Sequence, residues 1–109
     1  MRARMWNFKF WTHETNPICL MKTYGKILKD SGFTILQVAV QKFEPQGFTG
    51  VWILAESHLA VHTFPEEGKT YVELSSCNKE LFKSFKLAIS YLKLYEHNEK
   101  KKLYFLHGL

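Results

Sequence analysis

The chain has 109 residues, which is the size of one compact domain and too short for two ordinary ones. Hydrophobic residues make up 46% of it and aromatic residues 16%, so the composition supports a packed core and excludes an intrinsically disordered chain. The formal net charge is +5, but the basic residues are spread along the whole sequence, and this charge alone identifies no partner.

The sequence offers no signal for export or membrane insertion. No apolar run approaches the roughly 20 residues that span a bilayer, and the first ten residues lack the continuous apolar stretch of a signal peptide. Without an export signal, Cys19 and Cys77 are expected to be free thiols in a reducing compartment. We therefore expect a cytoplasmic protein that binds neither membrane nor nucleic acid.

The first third of the chain predicts a strand followed by a helix. Residues 7–11 are aromatic and roughly alternating, which is typical of a short strand. Asn16 and Pro17 have the pattern of a helix N-cap and first helical residue, and Gly32 stands where a C-terminal cap belongs. The stripe at helical spacing between these signals consists of Leu20, Tyr24, Ile27, Leu28 and Ser31.

The middle of the chain predicts strands joined by turns. Residues 34–43 alternate with period two, which indicates a half-buried strand. Its apolar side consists of Leu36, Val38 and Val40. A turn follows at residues 44–47, and three further strands are predicted over residues 49–56, 59–64 and 70–74.

The last third predicts a second helix and the overall architecture. Asn78 is a candidate N-cap for a helix whose stripe consists of Leu81, Phe82, Phe85, Ala88, Ile89 and Leu92. Residues 103–109 are predicted as a short final strand. The pattern favours a single α+β domain over residues 1–109, with an antiparallel sheet and two helices packed on one face. The uncovered face is then expected to meet a partner or carry a functional cleft.

Residues 52–77, WILAESHLAVHTFPEEGKTYVELSSC, gather a carboxylate, hydroxyls, two imidazoles and a thiol. Taken singly, each group is ordinary, since a histidine in a strand is more often structural than catalytic and a single cysteine is more often a small apolar filler. His58 and His62 have no second pair of metal ligands beside them, and the chain lacks CxxC, GxSxG and glycine-rich phosphate motifs. We therefore predict no metal site, and the commonest hydrolase and nucleotide-binding classes are excluded.

In combination, these groups resemble a known family. The motifs ESH at 56–58 and HTFPE at 62–66, then Cys77, follow the stretch KFEPQGFTGVWILA in fixed order. This arrangement resembles the bacterial and archaeal type of S-adenosylmethionine decarboxylase proenzyme, over about residues 22–92. The resemblance implies a chain that converts S-adenosylmethionine into the aminopropyl donor for spermidine synthesis.

The resemblance also implies a cofactor made from the chain itself. Members of the family cleave themselves at a Glu–Ser bond, which here corresponds to the bond between Glu56 and Ser57. Residues 1–56 and 57–109 would become separate chains, and Ser57 would become a covalent pyruvoyl group. That group forms a Schiff base with the substrate amine and accepts the electrons left by carbon dioxide.

Further roles follow from the resemblance alone. His62 matches the base that promotes elimination during cleavage, and Cys77 matches the general acid of decarboxylation. Thr49 stands at the position of a serine that holds the cleavage intermediate. The residues that match substrate contacts are Phe43 and Phe64, which would stack on adenine, and Glu66, which would bind the ribose. The alternative for both phenylalanines is ordinary core packing.

Strand geometry makes an independent prediction about Ser57 and His62. Five residues in an extended strand span about 16 Å, so the two side chains do not meet within one straight strand. A hairpin that turns at residues 56–57 brings Thr49 close to His62 instead. A site that contains both Ser57 and His62 then needs a second molecule, and family members are dimers. We expect a homodimer in which two sheets meet to form a four-layer αββα assembly.

Two departures from the family leave alternatives open. Thr49 replaces a serine, and Asn78 follows Cys77 where a glycine is usual. Related proteins with this fold and cleavage chemistry act on arginine or ornithine, so these substrates are alternatives to S-adenosylmethionine. A third alternative is a small basic ligand-binding module that never matures.

Overall fold

The computed structural model describes the backbone of residues 3–107 and the side chains of residues 3–93. Five strands form one antiparallel sheet in the order β1-β5-β4-β3-β2. They are β1 (Trp6–Thr12), β2 (Ile35–Lys42), β3 (Phe48–Leu54), β4 (Ser57–Phe64) and β5 (Lys69–Ser76). The helices are α1 (Pro17–Asp30) and α2 (Lys79–His107), and a 3-10 turn, Pro65–Glu67, joins β4 to β5. The predicted α+β fold is confirmed.

Both helices begin at the asparagine caps that the sequence predicts. The side-chain oxygen of Asn16 accepts a hydrogen bond from the backbone N–H of Cys19 at 3.0 Å. Asn78 accepts one from the backbone N–H of Leu81, also at 3.0 Å. Gly32 follows α1 with φ +102°, a conformation that glycine adopts without a steric penalty. These local contacts satisfy backbone groups that the helix itself leaves unpaired.

The core lies between the two helices and one face of the sheet. Alternate residues of the central strands are buried on this covered face, which is defined by Leu54, Leu59, Val61, Val72 and Leu74. The helices contribute Leu20, Tyr24, Leu28, Phe82, Phe85 and Ile89 to the same core. The opposite, open face is defined by Trp11, Thr49, Val51, Ile53, His58, Ala60, His62, Phe64, Tyr71 and Glu73. Most of the polar groups singled out in the sequence therefore lie on the open face or at the ends of its strands.

Strand β2 is not half-buried, contrary to the expectation from its alternation. The side chains of its predicted apolar face, Leu36, Val38 and Val40, are 63%, 48% and 58% exposed. Val40 pairs with Gly50 and shares the covered face, but β2 is the edge strand. Helix α1 lies over β3 instead, since a Cβ added to Gly50 would sit 2.7 Å from the sulfur of Met21. The helix thus leaves the edge strand uncovered.

Helix α2 continues further than the sequence predicts. Its backbone is helical from Lys79 to His107, so the short strand predicted over residues 103–109 is wrong up to His107. The last two residues of that prediction lie outside the described part of the chain. Within residues 3–107, no helix is both long and apolar enough to cross a membrane.

Candidate active site

The β3–β4 hairpin places the predicted cleavage bond at its turn. Leu54 pairs directly with Ser57, so Ala55 and Glu56 alone form the turn. Glu56 has φ +63°, a left-handed conformation that costs a residue with a Cβ about 1 to 2 kcal/mol. The peptide bond between Glu56 and Ser57 therefore begins at a strained residue, and breaking that bond releases the strain.

The thiol of Cys77 contacts the carbonyl of the same peptide bond. Its Sγ donates to the carbonyl oxygen of Glu56 at 3.0 Å and lies 3.4 Å from the Glu56 carboxylate. Partial burial raises the pKa of the Cys77 thiol, and the hydrogen bond and charge of the Glu56 carboxylate raise it further. The thiol stays protonated at neutral pH and can donate where negative charge develops during attack on this carbonyl.

We expect Glu56→Gln to lower the pKa of the Cys77 thiol, because it removes the negative charge that disfavours the thiolate. In the wild type the pKa of this thiol is raised, so the thiol stays protonated to a higher pH than an ordinary cysteine, whose pKa is about 8.5. Thiolate absorbance across pH measures this, in Ser57→Ala chains that keep residue 56 attached and carry Cys19→Ser to leave one thiol. Glu67→Gln is the control that removes a carboxylate from another turn. Coincident titration curves for Glu56→Gln and its parent would contradict the expected effect.

Ser57 points to the covered face of the sheet. Its side chain is 8% exposed, and its Oγ donates to Oγ of Ser76, directly opposite on β5, at 2.7 Å. Ser76 has no exposed surface and also bonds the backbone of Asn78. Ser76 is not among the site residues predicted from the sequence. The signal that could have found it is the β4–β5 register, because counting back from the Pro65–Glu67 turn pairs the two serines.

Thr49 and His62 form a second cluster, on the open face. They pair across β3 and β4, and Thr49 Oγ1 lies 2.9 Å from His62 Nδ1, so the extra methyl of threonine does not prevent the contact. The His62 ring stacks on Tyr71, with centroids 6.2 Å apart and planes 23° apart. The Tyr71 hydroxyl donates to Glu73 at 2.8 Å. Tyr71 is not among the predicted site residues either, because its place beside His62 depends on the β4–β5 register.

The three residues predicted to contact substrate are Phe43, Phe64 and Glu66. They lie after β2, at the end of β4 and in the 3-10 turn, at the end of the sheet opposite the turn of the β3–β4 hairpin. The Phe64 ring lies 5.9 Å from that of Trp11, and the Phe43 side chain is 50% exposed. The Glu66 carboxylate accepts a hydrogen bond from Gln46 at 3.2 Å. Neither phenylalanine belongs to the buried core, so the core-packing alternative is wrong.

Ser57 and His62 do not meet within one chain. They are five residues apart on β4, about 16 Å for an extended strand, and their side chains point to opposite faces of the sheet. The contact between Thr49 and His62 is the one that strand geometry predicted. The turn lies at Ala55 and Glu56, one residue before the predicted position, so Ser57 pairs with Leu54 as the first residue of β4. The candidate site thus consists of two separate clusters.

Cys19 and Cys77 are both free thiols. Cys19 lies exposed on α1, whereas Cys77 immediately follows β5 beside the hairpin. Among the described residues, no group of three His, Cys, Asp or Glu side chains is arranged to hold a metal ion.

Comparison with known proteins places the chain among its relatives. The sequence model of the S-adenosylmethionine decarboxylase family matches residues 15–101. The chain belongs to this family. The S-adenosylmethionine decarboxylase proenzyme of Prochlorococcus marinus is 43% identical over 61 residues, which is 56% of this chain and 49% of that protein. The proenzyme of Clostridium botulinum is 43% identical over 78 residues, which is 72% of this chain and 66% of that protein.

The fold agrees with that of a solved family member. A crystal structure of the adenosylmethionine decarboxylase from Aquifex aeolicus matches with a TM-score of 0.54 and 26% identity, over 65% of this chain and 60% of that chain. The chain spans about half the length of the Prochlorococcus relative, since the match covers 49% of that protein. The family resemblance stated from the ESH and HTFPE motifs is confirmed.

Proposed function

We propose that this chain is a self-processing decarboxylase of S-adenosylmethionine that uses a pyruvoyl group made from Ser57. The observation that carries the proposal is the contact of the Cys77 thiol with the carbonyl of Glu56, at 3.0 Å. That carbonyl belongs to a residue with φ +63° and precedes a residue with a hydroxyl. Strain, a hydrogen bond donor on the carbonyl and an adjacent nucleophile are together what an intramolecular acyl shift needs. Relatives named as proenzymes support the same reaction.

Cleavage begins when Oγ of Ser57 attacks the carbonyl carbon of Glu56. A C–O ester bond forms, the C–N peptide bond breaks, and the hydroxyl proton ends on the freed nitrogen of Ser57. A base then removes the α-proton of Ser57, and the ester leaves as the carboxylate of Glu56. Addition of water and loss of ammonia then leave a ketone at the start of residues 57–109, while residues 1–56 form the other chain. A serine is needed because it supplies both the nucleophile and the leaving oxygen at its β-carbon.

The residues around the hairpin fit a pyruvoyl group at the position of Ser57. When formed, that group supplies an electron sink for the loss of carbon dioxide. Cys77 holds a proton beside this position, because its raised pKa keeps the thiol protonated at neutral pH. A protonated thiol next to the reacting carbon can return the proton that decarboxylation requires.

Substrate binding is assigned to the opposite end of the sheet. Phe43 and Phe64 offer aromatic faces for the adenine, and such a face also attracts the positive sulfonium. The Glu66 carboxylate can accept hydrogen bonds from the ribose hydroxyls. The chain carries a formal charge of +5, so attraction of a cationic substrate has to come from local groups such as this carboxylate.

A homodimer would complete the site. The open face carries exposed apolar side chains, including Trp11 at 50% and Ile53 at 43% exposure. A two-fold axis that stacks two open faces sets the Ser57 end of one sheet beside the His62 end of the other. The helices then lie on the outside of a four-layer αββα assembly. In this arrangement, His62 of one protomer serves as the base for Ser57 of its partner.

Intact mass spectrometry combined with release of labelled carbon dioxide tests the proposed function. We expect wild-type protein to contain two chains that end and begin at the bond between Glu56 and Ser57, and to release carbon dioxide from carboxyl-labelled S-adenosylmethionine. Ser57→Ala should leave one full-length chain without activity, because it removes the nucleophile. Ser84→Ala, an equivalent change at an exposed position on α2, should behave as wild type.

The same measurements separate the alternatives. Self-cleavage together with release of carbon dioxide from labelled arginine or ornithine, and none from S-adenosylmethionine, would support the proposed cleavage and contradict the proposed substrate. A full-length wild-type chain without release from any of the three would favour the non-processing binding module. Activity that survives Ser57→Ala would exclude a pyruvoyl mechanism.

A further inference from the structure

The hydroxyl of Ser76 has every hydrogen bond that a serine hydroxyl can make. Such a group carries one proton and two acceptor sites. Ser76 Oγ accepts from the backbone N–H of Asn78 at 3.0 Å and from Oγ of Ser57 at 2.7 Å. Its own proton is directed to the carbonyl of Asn78 at 3.3 Å. Ser76 is completely buried, so solvent does not compete for these bonds.

This saturation sets the direction of the bond between the two serines. Because the proton of Ser76 is used by the carbonyl of Asn78, Ser57 has to be the donor in the contact between them. The lone pairs of Ser57 Oγ are then left free. A serine side chain has three staggered rotamers, and the bond to Ser76 selects one of them. The oxygen of Ser57 is thus held in one orientation with its nucleophilic electrons unoccupied.

Ser76 itself is held in place on both sides. It ends β5, where it pairs with Trp6 of β1 and with Ser57 of β4. The next residue, Cys77, contacts the carbonyl of the hairpin turn, and the one after it, Asn78, caps α2. One three-residue segment therefore bonds the hydroxyl and the carbonyl on either side of the same peptide bond, and a helix anchors it.

We propose that Ser76 is a positioning residue for self-cleavage, which holds Ser57 Oγ in the orientation for attack on the carbonyl carbon of Glu56. The proposal rests on the proposed cleavage of that bond. In this step the Oγ–C bond forms, the C–N bond breaks, and the proton of Ser57 Oγ ends on the nitrogen of Ser57. Ser76 keeps its own proton throughout, so it orients the nucleophile and does not act as the base.

The first test compares cleavage rates of full-length chains made by cell-free synthesis and followed on denaturing gels. Ser76→Ala should slow cleavage about tenfold or more, because the buried hydroxyl of Ser57 loses its acceptor. Ser76→Thr, which keeps the hydroxyl, should stay within about threefold of wild type. Ser75→Ala is the matched control, since it makes the same change one residue earlier, on the opposite side of β5.

A second measurement isolates the step in which Ser76 acts. Hydroxylamine cleaves esters and leaves peptide bonds intact. In a His62→Ala background the elimination is blocked, so the ester accumulates and hydroxylamine should split the chain. Adding Ser76→Ala should slow this splitting by about tenfold, and adding Ser76→Thr should restore it. If Ser76→Ala acted only by loosening the packing, it would lower the urea midpoint of unfolding. In that case we expect that Ser76→Thr would not restore the rate of splitting.

Three outcomes decide the proposal. If Ser76→Ala does not fold, Ser76→Cys replaces it, because a thiol has a similar shape and is a weak acceptor. The role of Ser76 would be overturned if the variant that folds, Ser76→Ala or Ser76→Cys, cleaves at the wild-type rate. It would also be overturned if Ser76→Thr slows cleavage as much as Ser76→Ala does. Failure of the wild-type chain to cleave would instead refute the proposed function, and the role of Ser76 with it.

Discussion

A mixture of Ser57→Ala and His62→Ala chains should cleave, although neither variant should cleave alone. If each site joins Ser57 of one protomer to His62 of its partner, a mixed dimer has one site with both residues and one with neither. The His62→Ala chains alone retain the serine, so they are the ones that should be split. With equal amounts and random pairing, about half of them lie in mixed dimers and should be cleaved.

Co-expression of the two variants with tags of different mass, followed by intact mass spectrometry, measures this result. The control replaces the Ser57→Ala partner with a chain that carries both substitutions, which leaves every site incomplete. No cleavage in the first mixture would contradict a site shared between protomers. Cleavage of His62→Ala chains on their own would remove His62 from the role of base.

The reason for this expectation lies in the geometry of β4. The strand separates Ser57 and His62 by about 16 Å, and its pleat directs them to opposite faces. Rotation of either side chain cannot close such a gap within one sheet. In the proposed dimer, a second sheet on the open face would bring its own His62 end to the hairpin of the first, where the α-proton of Ser57 has to be removed.

The starts of both helices and the end of α1 could be predicted because their signals are local. An N-cap bonds a backbone N–H three residues ahead, so Asn16 and Asn78 are recognisable without knowledge of the rest of the fold. Gly32 could be placed for the same reason, since its left-handed conformation depends on its own lack of a Cβ. The strands from β3 to β5 also follow from local alternation and turn residues.

The burial of β2 could not be predicted in the same way. Alternation shows which of its side chains share a face, but coverage of that face depends on where α1 packs. The helix crosses β3, where Gly50 lets Met21 come close, and β2 remains an exposed edge. The strand prediction at the end of the chain was wrong for another reason. A short apolar run after a long helix has no period of its own that distinguishes strand from helix.

The residues of the candidate site also differ in whether local sequence signals could predict them. Ser57, His62 and Cys77 lie in motifs that can be read in order along the chain, so the resemblance identified them. Ser76 and Tyr71 contact residues on the neighbouring strand, and these contacts depend on the β4–β5 register. A motif records which residues follow one another, whereas these two contacts depend on which residues lie opposite one another.

Phe85→Ala should lower the free energy of unfolding by about 3 to 5 kcal/mol, the range for removing a large buried aromatic side chain. Phe85 lies on the face of α2 that packs on the sheet and is completely buried. Its ring lies edge-on to that of Phe8 on β1, with centroids 6.5 Å apart. Small domains are stable by about 5 to 15 kcal/mol, so this loss is a large part of the total. Urea unfolding of uncleaved chains in a Ser57→Ala background measures it.

The matched control is Leu87→Ala on the same helix, where the side chain is 59% exposed. It should cost less than about 1 kcal/mol, because little apolar surface is buried there. Equal losses at the two positions would mean that α2 does not pack on the sheet through Phe85. With Ser57 restored, Phe85→Ala should also slow self-cleavage, because α2 begins at Asn78, whose backbone holds the hydroxyl of Ser76 beside the bond to be broken.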